Sequence, residues 1–279
     1  MRLQTIQTNT VRVIAIAGLS LAISSKATVP ISDLPDFDNL DNFAQLGNQL
    51  NNGNDTINGN SGVSEGGLST LASLSTINGN VYVGNGATFS NSGHVTGSTF
   101  TGQDLTTEQN TVFSASEGLD ALTPDQIVSS LQTGSLSFNV PAGQVYVVDL
   151  NGGLSLNSAN ITLTGTGLLV LNILGSFNLG GTASILGNAS NIFINYLGSN
   201  TGNSSQHDVI DGQVFIPNAS ANLGGTWNGG IFSGNQTITM LNAATINAVP
   251  IPEPGTMALA ATGGLSILLL RLRFCLLKH

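Results

Sequence analysis

The sequence predicts an all-β chain folded as a right-handed β-solenoid with a flanking helix, an N-terminal signal helix and a C-terminal transmembrane helix. Three observations favour this fold class: short apolar runs set among Gly, Asn, Ser and Thr, a pentapeptide that recurs, and a body with few charges. Only 8% of the 279 residues are charged, and 35 are glycine. A chain of this length can form one sizeable domain with additional targeting segments.

Short strands are predicted by residues that alternate between apolar and polar. The alternation is visible in residues 154–157 and 161–164, where one side chain in two would point inward. Asn-Gly and Gly-Gly pairs between such runs are typical of turns. Asn also tolerates the left-handed backbone region at a corner and can form hydrogen bonds along a stack of Asn residues.

Internal repeats narrow the architecture to a solenoid. The pentapeptide TINGN begins at Thr56 and again at Thr76, 20 positions later, and NLGGT occurs twice at a spacing of 44. A period of 20 to 22 residues is about one turn of a solenoid, so the body would have about eight to ten turns. Equivalent positions share an environment, so we expect four apolar residues of these repeats to point inward: Ile57, Ile77, Leu179 and Leu223. A β-sandwich is the alternative, since regularly spaced short strands also build one.

The distribution of charge excludes several partners. All six Lys and Arg residues lie within the first 26 or the last nine positions, whereas all fifteen Asp and Glu residues lie between Asp33 and Glu253. A body without a basic residue cannot neutralise phosphates, so nucleic acid is excluded as a partner, as is a basic patch for anionic lipid. The single cysteine, Cys275, leaves neither a disulfide framework nor a cysteine metal site.

Residues 1–27 are predicted to be a signal peptide. A basic start, an apolar run at 13–23 and small residues before Ala27 are the three parts of a secretory signal. The run is shorter than the roughly 20 apolar residues that span a bilayer. An uncleaved N-terminal anchor is the alternative.

The order of motifs near the C-terminus predicts a sorting signal. Pro252, Glu253 and Pro254 end a linker at 249–255, and a transmembrane helix and basic tail are predicted at 256–279. Arg271 and Arg273 would stay on the cytoplasmic side. The triplet, the apolar segment and the Arg pair resemble the PEP-CTERM sorting signal of exported bacterial proteins. A plain membrane anchor is the alternative.

The PEP-CTERM resemblance implies a partner and a location. The partner would be an exosortase-type membrane processing enzyme. The protein would be exported and held in the membrane by its C-terminal helix, and would then reach the cell surface or the extracellular matrix.

Caps and a helical insert are predicted around the solenoid. Residues 28–50 would form an N-terminal capping segment, in which Phe37, Leu40, Phe43 and Leu50 lie near one helical face and cover the first turn. Helix starts are predicted at 104–108 and at 123–127.

The second predicted helix start has the stronger sequence signals. It combines a Thr N-cap, a Pro at the first helical position and a stop at Gly134. Ile127, Val128 and Leu131 would then pack on the flank of the stack.

The order of these pieces within the predicted solenoid domain, residues 51–248, resembles two groups of exported proteins. The segments that carry the resemblance are TINGNVYVG, DLTTEQ, NASNIFINYLG, VIDGQVFIPNASANLGG and TWNGGIFSG. They resemble the choice-of-anchor A domain and the bacterial ice-binding-like domain. The resemblance implies a β-solenoid on an exported protein and says little about a ligand.

Residues able to do chemistry are few. His207, Asp208 and Asp211 form a cluster in a polar stretch, which we interpret as a solvated loop because acid–base catalysis needs carboxylates in a cleft. His94 is interpreted as a turn residue. Asp36, Asp38 and Asp41 are interpreted as solvated charges, because Leu40 stands where an EF-hand needs an oxygen ligand. No catalytic residue, metal site or cofactor is therefore predicted.

Three functions follow from the sequence. The first is a non-catalytic structural or adhesion protein of the surface or matrix, with extracellular polysaccharide as the candidate ligand. The second is binding to ice or another crystal surface, for which Thr162, Thr164 and Thr166, or Thr237 and Thr239, could supply part of an array. The third is a carbohydrate-active hydrolase of the β-helix type that works with carboxylates alone.

Overall fold

The computed structural model describes residues 21–23, 29–30, 33–37, 39–131 and 134–251. The sorting motif (Pro252, Glu253, Pro254, Arg271 and Arg273) and the predicted transmembrane segment lie outside these residues, as does most of the predicted signal peptide. Within the described ranges, no helix has both the length and the apolar character that crossing a bilayer requires.

In the described ranges, ten strands precede the α-helix. They are β1 (Leu21–Ile23), β2 (Val29–Pro30), β3 (Phe43–Asn52), β4 (Thr56–Asn58), β5 (Asn60–Leu71), β6 (Thr76–Asn78), β7 (Val81–Gly84), β8 (Thr88–Asn91), β9 (His94–Val95) and β10 (Thr99–Gln103). Helix α1 spans Thr106–Asp120.

Seventeen strands follow the helix, together with a 3-10 turn at Ala189–Asn191. The strands are β11 (Gln126–Val128), β12 (Leu136–Val140), β13 (Gln144–Leu150), β14 (Gly153–Asn157), β15 (Asn160–Gly165), β16 (Leu168–Ile173), β17 (Ser176–Gly180), β18 (Ser184–Leu186), β19 (Ile192–Tyr196), β20 (Gly202–Asn203), β21 (Val209–Asp211), β22 (Gln213–Ile216), β23 (Ala221–Leu223), β24 (Thr226–Asn228), β25 (Ile231–Ser233), β26 (Thr237–Met240) and β27 (Thr245–Asn247).

The strands stack in parallel as a three-sided β-solenoid of about ten turns, which confirms the predicted β-solenoid with one helix. We name the sides by what they present. The covered face holds β13, β16, β19, β22, β25, the first half of β3, the first half of β5, β7 and β10. The third face holds β14, β17, β20, β23, β26, the second halves of β3 and β5, and β8.

The remaining side, the Thr–Asn face, shows that the stack does not follow the order of the chain. Its strands lie in the order β12, β15, β18, β21, β24, β27, β4, β6 and β9. From β3 onward the chain therefore starts in the middle of the stack and builds outward to β9. It then crosses to the other end and builds back until β27 pairs with β4.

The interior confirms the expectation from the repeats. Ile57 and Ile77 face each other in register and are fully buried. Leu179 and Leu223 occupy equivalent places on the third face, separated by the turn that contains β20, and both lie in the central core. The turns themselves vary in length, because equivalent residues are 25, 17, 19 or 20 positions apart.

Helix α1 starts where the first sequence signal placed it and packs along the covered face. The Asp104 side chain accepts a hydrogen bond from the Thr106 amide at 3.1 Å, and Glu65 accepts one from the Leu105 amide at 2.6 Å. Val112, Ala115 and Leu119 on the helix are buried in a second apolar cluster, outside the solenoid.

The second predicted helix is wrong. Residues 126–128 form β11, which pairs in parallel with the end of β13, and the Asp125 side chain accepts a hydrogen bond from the Val147 amide at 2.9 Å. Leu131 is buried in the central core and not on the flank of the stack, and Ile127 is 63% exposed. The open edge of β13 supplies hydrogen-bond partners that outweigh the local helix signals.

The predicted helical cover at the start of the domain also takes another form. Phe37, Leu40 and Phe43 lie in the cluster outside the covered face, with the ring of Phe37 stacked on Phe193 at 4.8 Å. Leu50 lies instead in the central core, because residues 43–52 form strand β3. Phe37, Leu40 and Phe43 therefore cover the flank of the stack and do not cover its first turn.

A buried polar ladder fixes the helix to the sheet. The Asn195 side chain donates to the Ser116 carbonyl and to the Asn172 side chain, each at 3.0 Å, and accepts from the Ser116 hydroxyl at 2.6 Å. Asn172 in turn donates to the Leu119 carbonyl at 3.0 Å, which satisfies a helix-end acceptor. Both Asn residues are fully buried.

The helix and the stack have matching repeats. Near the start of the helix, the Gln109 side chain donates a hydrogen bond to the Ser233 carbonyl on β25. Near its end, the Leu119 carbonyl accepts one from Asn172 on β16, which lies three strands from β25 along the covered face. Ten helical residues rise about 15 Å, and three strand spacings span about 14 Å. The helix can therefore bond successive turns without bending.

Replacing Asn195 with Ala should lower the free energy of unfolding by about 3 kcal/mol, because several buried polar groups then lack a partner. The matched control is Asn203→Ala on the third face, where the ladder is exposed, and we expect a change below about 0.5 kcal/mol there. Chemical denaturation followed by circular dichroism measures both values. Equal losses in the two variants would contradict the anchoring role of the buried ladder.

Candidate functional site

The Thr–Asn face carries one tripeptide pattern on four consecutive turns. Thr-Trp-Asn of β24 is followed along the stack by Thr-Ile-Asn of β27, β4 and β6. The register aligns Thr with Thr and Asn with Asn at each step. We call these eight outward side chains the Thr–Asn array: Thr226, Asn228, Thr245, Asn247, Thr56, Asn58, Thr76 and Asn78.

The Asn column of the array is a continuous hydrogen-bonded ladder. Asn78 donates to Asn58, Asn58 to Asn247, and Asn247 to Asn228, each at 2.8 Å. Asn228 donates to the carboxylate of Asp211, also at 2.8 Å. Every side-chain amide in the ladder therefore donates in the same direction. The ladder ends at the carboxylate of Asp211, which can only accept hydrogen bonds. This chain of bonds holds the amides in one rotamer.

The Thr column lies beside the ladder and is partly exposed on all four turns. Neighbouring strands in a sheet are about 4.8 Å apart, so the hydroxyl and methyl groups repeat at about that spacing. Behind each Thr and Asn pair lies a fully buried apolar residue, either Ile or Trp227. The array is thus a regular surface on a rigid support.

The glycine after the array is required by the corner. Gly229 has φ of +145°, and a Cβ atom there would collide with the carbonyl of Gly212 on the preceding turn. Gly59 takes the same conformation, with φ of +137°. Close stacking of these corners keeps successive turns in line.

The last Asn of TINGN caps the corner. The Asn60 side chain accepts a hydrogen bond from the Asn80 amide, and the Asn80 side chain accepts one from the Ser98 amide, each at 2.9 Å. Each residue of the pentapeptide therefore has a separate role: Thr is outward, Ile is inward, the first Asn forms the ladder, Gly turns and the second Asn caps.

Sequence reasoning missed the array. It found TINGN twice but did not connect it to the same tripeptide at 245–247 or to Thr-Trp-Asn at 226–228. The signal was present as a shared Thr-x-Asn pattern. The two pairs lie on either side of the helical insert in the chain, so only the pairing of β27 with β4 makes them neighbours.

The neighbouring turns differ from the array. On one side the Thr column continues with exposed Val209, and on the other with exposed His94, which lies at the start of β9. The threonines considered from sequence are dispersed: Thr162 and Thr164 face outward on β15, and Thr237 and Thr239 lie on the third face.

The third face is polar but less regular. Asn222 donates to Asn203, and Asn203 to Asn178, each at 3.2 Å. The column then continues with Thr239, Asn51, Thr70 and Ser90. The column beside it includes Leu68, which is 45% exposed. No tripeptide repeats along the strands described for this face.

The predicted cluster of His207, Asp208 and Asp211 divides into separate parts. His207 is exposed, whereas Asp208 is only 1% exposed and accepts hydrogen bonds from the amides of Ala183 at 3.0 Å and Ser205 at 2.6 Å. Asp211 ends the Asn ladder and also accepts from the Gly187 amide at 2.9 Å. The interpretation as a solvated loop is therefore wrong for Asp208, whose carboxylate binds two backbone amides at a corner.

Asp55 occupies the corner position that corresponds to Asp208. Burial raises the pKa of its carboxyl to about 6, although hydrogen bonds from Ser75 and the Gly53 amide act in the opposite direction. Since the folded-state pKa lies above the ordinary value of 3.8, the native state binds the proton more tightly. The contribution of Asp55 to stability therefore increases as the pH falls from 7 through 6 toward 4. Asp36 and Asp41 are exposed, and Asp38 lies outside the described residues.

Comparisons with known proteins give the fold. No family model matches the chain, and no curated protein sequence matches it. Among solved structures, an ice-binding protein from the Antarctic ascomycete Antarctomyces psychrotrophicus is similar, with a TM-score of 0.55 and 20% identity over 77% of this chain and 98% of that one.

Two further solved structures are similar at lower scores. An ice-binding protein from an Antarctic Flavobacteriaceae bacterium has a TM-score of 0.46 and 14% identity over 85% of this chain and 52% of that one. A glycosylated ice-binding protein from an Arctic yeast has a TM-score of 0.46 and 17% identity over 79% and 96%.

Replacing Asp208 with Ala should lower the free energy of unfolding by about 3 kcal/mol, because two backbone amides at the corner lose their acceptor. His207→Ala is the matched neighbour, and its exposed side chain should change stability by less than about 0.5 kcal/mol. Urea denaturation of the two variants provides the measurement. If Asp208→Ala leaves the free energy of unfolding unchanged, water replaces the carboxylate at this corner and the predicted role of Asp208 is wrong.

Proposed function

We propose that this protein binds ice through the Thr–Asn array. The observation that carries the proposal is the repetition of Thr-x-Asn, in register, on four consecutive turns of a parallel sheet. The fold that it shares with the Antarctomyces psychrotrophicus ice-binding protein supports the same function.

The chemistry of the array suits a crystalline water surface. Each Thr offers a hydroxyl group that can take the place of a lattice water, beside a methyl group that does not compete for hydrogen bonds. Because the Asn ladder fixes the neighbouring amides, little conformational freedom remains to be lost on binding. None of the eight side chains of the array carries a charge that would order water differently.

The protein acts by presenting a surface, without catalysis. A carboxylate hydrolase needs two carboxyl groups that face a shared substrate cleft. Asp208 and Asp211, the carboxylates considered for that role, both bind backbone amides at separate corners. Among the residues that the structure describes, no group of three or more His, Cys, Asp or Glu side chains could hold a metal ion.

The surface hypothesis from the sequence is compatible with ice binding. We propose that the chain is exported by its N-terminal signal, sorted by the segment with Pro252, Glu253 and Pro254, and exposed at the cell surface or in the matrix. Support comes from the sequence alone, through the basic flanks at Arg271 and Arg273 and the position of the triplet near the C-terminus. An exosortase-type enzyme would be the processing partner. Extracellular polysaccharide would be the neighbour of the displayed domain.

Replacing Thr56 and Thr245 together with Tyr should abolish most ice binding, because two bulky rings in the centre of the array prevent close approach of a flat lattice. We expect freezing-point depression at equal concentration to fall below about a fifth of the wild-type value, since interfaces depend on close complementarity. Nanolitre osmometry with seeded ice crystals measures this quantity.

The matched control is Thr70→Tyr with Thr239→Tyr on the third face, which should retain wild-type depression. If the control pair loses activity and the Thr56 and Thr245 pair does not, the ice-binding surface is the third face. If the wild-type protein neither shapes ice crystals nor depresses freezing, ice binding is rejected.

Export and sorting predict two processed ends. Intact-mass measurement of the protein from the surface fraction of its native host should show loss of about 27 residues at the start, as expected for a signal peptide, and of the segment after Pro254. Replacing Pro252 and Pro254 with Ala should prevent the second loss. A full-length mass in the membrane fraction would contradict processing and favour permanent anchoring.

A further inference from the structure

The two ends of the solenoid are finished differently. One end is formed by β12, β13 and β14, the first turn after the helix. There β1 pairs with β12, β2 and β11 pair with β13, and Leu131 forms a bridge to Leu154 of β14. Each of the three sides therefore has additional chain at this end. At the other end, β8, β9 and β10 each pair on one side only within the described part of the chain. We call this the uncapped end.

The uncapped end exposes both backbone and apolar side chains. Residues 99–102 of β10 are exposed along their whole length. Phe100 is 41% exposed, and its ring stacks on Tyr82 at 5.3 Å. Ala87, Phe89 and Val95, which close the central core here, are only partly buried. Among the described residues, six large apolar side chains are exposed, and three of them lie in this part of the chain: Leu68, Leu74 and Phe100.

Charge is absent from the same region. The whole stretch 66–103, which forms the last two turns, contains neither Asp, Glu, Lys nor Arg. Natural edge strands are usually protected from pairing by charged residues or Pro. This stretch has neither. In a chain of net charge −9, an uncharged surface is where two copies can approach without repulsion.

We propose that the uncapped end is a self-association surface, on which the same end of a second copy of this chain docks. The partner presents the same three-sided outline and the same apolar rim. A two-fold axis across the end turns the strands of the partner antiparallel, so the free edges of β8, β9 and β10 pair across the interface. The opposite end presents a different outline, because the short strands β1, β2 and β11 lie on its strands. The contact therefore closes as a dimer and does not continue as a filament.

The described chain leaves the uncapped end free. The carbonyl groups of Val249 and Pro250 accept hydrogen bonds from Gln213 and Ser190, so the chain reaches Ile251 beside the middle of the stack. The N-terminal strands β1 and β2 lie at the opposite end.

Sedimentation velocity of the full chain in density-matched detergent tests the proposal. The wild-type protein should sediment as a dimer at high concentration and dissociate on dilution. Phe100→Lys introduces an unpaired charge from each copy into an otherwise uncharged interface and should weaken the dimer about tenfold or more. The matched control is Leu174→Lys, because Leu174 is also 41% exposed but lies on another turn. This variant should dimerise like the wild type.

Hydrogen exchange identifies the contact surface independently of the substitutions. Amides of residues 88–91, 94–95 and 99–103 should gain protection when the protein concentration is raised, and those of β12 should not. A wild-type monomer at all concentrations overturns the proposal. So does equal weakening by Phe100→Lys and Leu174→Lys, a Phe100→Lys variant that dimerises normally, or protection gained elsewhere. Circular dichroism confirms that the compared variants are folded.

Discussion

The pairing of the two halves of the chain in the middle of the stack is the constraint on which the structure depends. Strand β27 pairs with β4, while β25 and β26 both pair with β3, so that one continuous core passes through the junction. The hydrogen bond from Asn58 to Asn247 joins residues 189 positions apart. Contacts this distant in sequence carry a high cost in loop-closure entropy, which the buried strands on both sides must offset.

The helix and the Thr–Asn array both follow from that junction. Because the chain must travel from β10 at one end to β11 at the other, it needs a connection along the stack, and α1 supplies most of the length. The buried ladder of Asn172 and Asn195 fixes this connection to the covered face. With one side occupied, two sides remain for solvent. The array lies on one of them, across the junction itself.

Asn performs three different physical tasks in this protein. On the covered face it satisfies helix carbonyls in the absence of water. On the Thr–Asn face it forms an exposed ladder that holds a surface in register. At the corners, as in Asn60 and Asn80, its carbonyl accepts a backbone amide of the next turn. Neutral amides can both donate and accept, which explains how a chain with 8% charged residues satisfies so many polar groups.

The sequence by itself determined the β-solenoid, the approximate length of its turn, the inward positions of Ile57 and Ile77, and the start of α1. These properties are local or periodic, so they can be predicted from short motifs and from the spacing of repeats. Only the tertiary structure decided that β11 is a strand, that Asp208 is buried, and that two distant pairs of Thr-x-Asn tripeptides form one array. Each of these depends on which strand edge meets which, and long-range pairing leaves no periodic signal in a chain whose turns vary from 17 to 25 residues.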